Sequence, residues 1–129
     1  MKNNRLYYSN QKGKYGGLQF NCWGATAFIL GIEHRLRWIE TREMDNILEE
    51  YTEIISEHER KRGDILTIYE NRYYRDELSH TAVYLGREKY FQKKGGNGSE
   101  ITDIHGVIRI YGDYKIEYRR VVNTTTKKY

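Results

Sequence analysis

The sequence predicts an α+β fold in which helices come first and an antiparallel sheet follows. One observation is a stripe of Met44, Ile47, Leu48, Tyr51, Ile54 and Ile55 at helical spacing, with glutamates on the opposite face. Another is the change after that stripe to short apolar or alternating runs divided by glycine and polar pairs. The third is length: 129 residues suit one domain with its own core. The expectation is a single domain over residues 1–129, with helices packed on about five to six strands, a lead-in at 1–14 and a frayed tail at 123–129.

Residues 1–20 read as loop, because Gly13, Gly16 and Gly17 allow tight backbone paths. A first helix is expected from about Cys22 to Leu30, with Gly31 as its stop. The apolar stripe predicts a second, from about Arg42 to Glu59. Strands are expected at Asp64–Tyr69, at Ser79–Leu85 and, after a two-residue turn at Arg87-Glu88, at Lys89–Gln92. The tail predicts two more, Gly106–Tyr111 and Tyr114–Val122, joined by a hairpin at Gly112-Asp113.

Composition narrows the function less than the fold. The net charge is +4 and the pI about 9.1, a mildly basic surface that could favour anionic partners without choosing among them. No clear nucleic-acid or membrane site stands out, and a monomer is expected. No run approaches the ~20 apolar residues of a membrane span. The polar start, Met1 to Asn10, does not read as a signal peptide. The expectation is a protein made in the cytoplasm; action elsewhere would need phage or secretion machinery to deliver it. His34, His58 and His105 show no metal-ligand spacing, so neither a metal nor another cofactor is expected. Gly95-Gly96-Asn97-Gly98 lacks the Lys-Ser/Thr of a phosphate loop and reads as a loop beside the site.

The candidate chemistry centres on Cys22, the only cysteine, in Phe20-Asn21-Cys22-Trp23-Gly24. A helix start presents unpaired N–H groups that lower the pKa of a thiol placed there. Cys22 is therefore either a nucleophile or a small buried hydrophobe. His80, opening an alternating strand, could take the thiol proton and return it to a leaving amine; otherwise it is a strand-end residue.

Four stretches fall in order: Tyr15-Gly16-Gly17 before Asn21-Cys22-Trp23-Gly24, then Arg62-Gly63-Asp64, then His80-Thr81-Ala82-Val83-Tyr84-Leu85-Gly86, then Tyr90-Phe91-Gln92. This order resembles the NlpC/P60-like cysteine peptidases, a papain-like family that mostly cuts bacterial cell-wall peptides. The resemblance covers about Tyr15 to Gln92. It implies a papain-like NlpC-type fold and a Cys22–His80–Gln92 catalytic set. The spacing from His80 matches the family's third residue at Gln92, which would accept the second ring N–H and fix the tautomer; it could equally be an exposed strand residue. Tyr15 resembles a tyrosine near the oxyanion site, or is one more packing tyrosine among thirteen.

Two departures bear on substrate. The family's Asp-Cys-Ser is Asn21-Cys22-Trp23 here, and these flanking residues are expected to contact substrate. A neutral, bulky pair argues against a free amino terminus and leaves open a different amide, an ester or an isopeptide. The resemblance implies a hydrolase acting on a peptide or peptidoglycan substrate, as a phage component or a secreted effector. An effector would carry the further expectation of a cognate inhibitor protein. The competing readings are a papain-like acyltransferase, deamidase or transglutaminase acting on lipid or protein, and a non-enzymatic tyrosine-rich binding module.

Overall fold

The computed structural model describes residues 20–93, 98–111 and 115–122. Tyr15, the expected lead-in and tail, Gly95-Gly96-Asn97 and the Gly112-Asp113 hairpin lie outside the described residues. The elements run α1 (Cys22–Ile29), α2 (Thr41–Tyr51), β1 (Thr52–Ile55), a 3₁₀ turn (Glu57–Glu59), β2 (Ile65–Arg72), β3 (Arg75–Gly86), β4 (Lys89–Lys93), β5 (Ser99–Thr102), α3 (Ile104–Tyr111) and β6 (Lys115–Val121). The six strands of the described residues form one antiparallel sheet in the order β1-β6-β2-β3-β4-β5.

α1 is apolar almost all round, as a helix must be when protein covers most of its surface. It ends as the glycine predicts: Gly31 has φ +81°, and the Ile32 N–H reaches back to the Ala27 carbonyl. α2 carries the predicted stripe, and Met44, Ile47, Leu48 and Tyr51 are buried with Ile65 of β2. Replacing Leu48 by alanine should therefore cost about 2–5 kcal/mol, read as a lowered urea midpoint. A loss below about 0.5 kcal/mol would mean the helix face is wrongly placed.

α2 stops at Tyr51, not at Glu59. The Thr52 hydroxyl donates to the Leu48 carbonyl, and the chain then extends into β1, pairing Thr52 with Val121 and Ile55 with Tyr118. Ile54 is 59% exposed, whereas Ile55 packs beside Leu66 and Tyr118. Positions 54 and 55 continue a helical stripe and also fit an alternating strand, and four residues cannot separate the two periods.

The second correction is α3, expected as a strand. Its start is marked by Asp103, whose Oδ1 accepts from the Gly106 N–H at 3.0 Å. Gly106 is required by packing: a Cβ there would lie 1.7 Å from Thr102 Oγ1. The sheet is thus covered on both faces. Thr81 and Val83 of β3 face α1, whereas Ala82 and Tyr84 belong to the cluster of Val107 in α3.

Among the described residues, two tight hairpins use non-glycine residues at positive φ. Arg87 (+53°) and Glu88 (+61°) make the expected turn. Tyr73 (+53°) and Tyr74 (+66°) make the other, at the tip of β2–β3, with both rings fully in solvent.

Candidate active site

Cys22 is the first residue of α1, and Asn21 caps the helix by accepting the Gly24 N–H at 3.0 Å. Asn21 does more than cap. Its Oδ1 also accepts from the Ile39 N–H (3.2 Å), and its Nδ2 donates to the Ile39 carbonyl (2.7 Å). This buried side chain, expected beside substrate, clamps the helix start to the segment entering α2.

The cysteine sits where the sheet forks. The β3–β4 register runs only from Gly86–Lys89 to Val83–Phe91, while β4 stays paired with β5 as far as Lys93–Ser99. α1 meets both strands across that opening. The Tyr84 N–H donates toward β2, to the Asp64 carbonyl, so the amide of Thr81 three residues earlier points to the β4 side. There it faces the Cys22 thiol and, with the amides of Trp23 and Cys22 itself, pulls its pKa down. Thr81 also ties the helix down through its hydroxyl, 2.8 Å from Thr26 Oγ1 and 3.4 Å from the Cys22 carbonyl. The thiol thus lies against the residue that follows His80.

His80 is completely buried. Its position depends on a β-bulge: Ile68 pairs with His80 but Tyr69 pairs with Leu78, so Ser79 is the extra residue. The bulge resets which side chains point to each face. His80 Nε2 lies 2.9 Å from Gln92 Oε1. The Gln92 amide is oriented by its other end, where Nε2 donates to Glu100 Oε1 at 2.7 Å and to the Gly106 carbonyl at 3.4 Å. A carboxylate only accepts, so the amide nitrogen must face Glu100 and the amide oxygen must face the ring. His80 Nε2 therefore carries the proton, and Nδ1 is the basic nitrogen. Glu100 was not legible in the sequence, because β5 was not.

Burial decides the resting protonation states. It pushes the Cys22 thiol up to about 11, although the amides of Thr81, Trp23 and Cys22 and the Lys93 ammonium all pull the other way. It pulls His80 down to about 4, with the Gln92 hydrogen bond opposing. This corrects the expectation of a thiolate prepared by the helix start: at neutral pH the pair rests as thiol and neutral imidazole.

Lys93 is a buried cation on the same strand as Gln92. It is 3% exposed, with its ammonium 5.0 Å from the centroid of the Phe20 ring. Alternation along Tyr90-Phe91-Gln92-Lys93 was the available signal, since it puts Lys93 and Phe91 on the α1 face. The Gly63-Asp64 pair is structural. Gly63 takes φ +98°, and Asp64 receives a two-point ion pair from Arg120 (3.0 and 2.8 Å) and the Lys61 amide (2.7 Å). Trp23 packs against the core cluster that includes Ile39 and Leu78.

A helix-start cysteine packed where a sheet forks, with an amide-oriented histidine on one of the forking strands, is a papain-like arrangement. The model of the NlpC/P60 family matches residues 7–119. The chain belongs to the NlpC/P60 family. Its α+β sheet agrees with that fold. NlpC/P60 proteins are in general cysteine peptidases and amidases. A search of curated proteins gives no match.

Proposed function

We propose that this NlpC/P60 protein hydrolyses an amide bond of a bacterial cell-wall peptide through Cys22, His80 and Gln92. His80 Nδ1 takes the thiol proton as Cys22 Sγ attacks the carbonyl carbon, so the charge pair forms only during reaction. The amides of Trp23 and Cys22, which pull the thiol pKa down, would serve as donors to the developing oxyanion. The imidazolium then protonates the leaving amine, leaving a thioester on Cys22. Water, giving its proton to His80, releases the acid and regenerates the thiol. Gln92, held by Glu100, keeps Nε2 protonated throughout.

The observation that carries this reading is the ordered chain from Glu100 through Gln92 to His80, the residue before Thr81, whose amide faces the Cys22 thiol. The test is digestion of purified peptidoglycan followed by mass spectrometry of the soluble fragments. The wild-type chain should release peptides with new amino or carboxyl ends, and Cys22→Ser should release none. Equal fragment patterns from both proteins would defeat the proposal.

A further inference from the structure

A cavity of about 300 Å³ opens between α2 and the β2–β3 hairpin, lined by Trp23, Thr41, Glu70, Arg72, Glu77 and Ser79 among others. Two of its lining residues flank the reacting pair: Trp23 follows Cys22, and Ser79 precedes His80. Both carry a buried polar atom, Trp23 Nε1 and Ser79 Oγ, with no hydrogen-bond partner among the described residues. A buried donor left unpaired costs stability, which a ligand can return.

The charges select the ligand. Arg72 is committed to Glu70 at 2.7 Å, and Glu77 meets Arg75 at 3.3 Å. Every charged group of the lining is therefore already in an ion pair, which leaves no partner for an ionic ligand. A carboxylate ligand would face both acids. An ammonium would bring only donors and leave the donor-only indole unsatisfied. A group with both a carbonyl and an N–H satisfies the two kinds of site together.

We infer that this cavity is a specificity pocket for a neutral carboxamide on the substrate residue beside the scissile bond. The carboxamide oxygen accepts from Trp23 Nε1, and its NH₂ donates to Glu77 and Ser79. The inference rests on the proposed reaction for its place in the substrate, but binding can be read without turnover.

The chain has two tryptophans, so ¹H–¹⁵N spectra show two indole cross-peaks, and Trp23→Phe assigns the one from Trp23. Titration of the full chain with propionamide should move the Trp23 peak saturably and leave the Trp38 peak in place. Propionate and propylamine should bind at least about tenfold more weakly. Ser79→Ala should weaken propionamide several-fold. A Trp23 peak unmoved by propionamide up to about 0.1 M, or moved at lower concentration by propionate or propylamine, would overturn the assignment. Propionamide binding by a protein that releases no cell-wall peptide would keep the pocket and remove the proposed reaction.

Discussion

Replacing His80 by alanine should lower amide turnover by about 10²–10⁴-fold, or roughly 2.7–5.4 kcal/mol of barrier. The size follows from a thiol held at about 11: without a local base the reactive fraction at neutral pH is small. The pH profile gives the sharper reading. In the wild type the base titrates at about 4, so kcat/KM should hold down to about that pH before falling. In His80→Ala the residual rate should climb about tenfold per pH unit toward the thiol pKa. An acid limb near 6.5 in the wild type would show that the imbedded imidazole is hydrated and that burial has been overstated. The same shifts set stability. His80 is depressed below its ordinary 6.5, so its contribution is present above that pH and is lost as pH falls toward 4. Cys22 is raised above its ordinary 9.0, so its contribution is lost as pH rises from 9 toward 11.

The second large effect is expected at Gly24. A Cβ there would stand 1.7 Å from the Arg37 carbonyl oxygen, 3.0 Å from its carbon and 3.3 Å from Asn21 Oδ1. Two of these are backbone atoms, and the segment that bears them is pinned by the Asn21–Ile39 bonds and by the Arg37 ion pairs to Glu33 and Glu43. No side-chain rotation relieves the clash. Gly24→Ala should therefore destabilise the protein by about 3 kcal/mol and displace the helix start that carries Cys22. Urea denaturation with peptide turnover on the folded fraction checks both parts. A midpoint within about 0.5 kcal/mol of the wild type would show that the Arg37 segment yields freely.

The elements legible in the sequence were those whose boundaries carry their own chemistry. Gly31 stopped α1, and the Arg87-Glu88 turn separated two alternating strands. The end of α2 was hidden because Ile54 and Ile55 satisfy both periods, and only pairing with β6 makes that stretch a strand. α3 is hidden for a related reason: the apolar residues of Ile104–Tyr111 suit either period, and only the Asp103 side chain, accepting from the Gly106 N–H, marks a helix start. In the site, the distance along the chain from His80 to Gln92 was informative because both lie on adjacent strands of one meander. Glu100 and the Ser79 bulge depend on register, which no local pattern reports. The direction of the Cys22 shift was read wrongly because a helix start is local, whereas desolvation comes from the whole fold.

Cys22 is expected to become acylated with His80 as its base. Intact-mass spectrometry tests it most directly, after brief exposure at neutral pH to an activated ester of an N-acetylated dipeptide. A single adduct of the acyl mass should appear on the wild type, map to Cys22, and decay by hydrolysis. It should form far more slowly in His80→Ala and be absent in Cys22→Ala. No adduct on the wild type, or one that persists on another residue when Cys22 is alanine, would contradict the account.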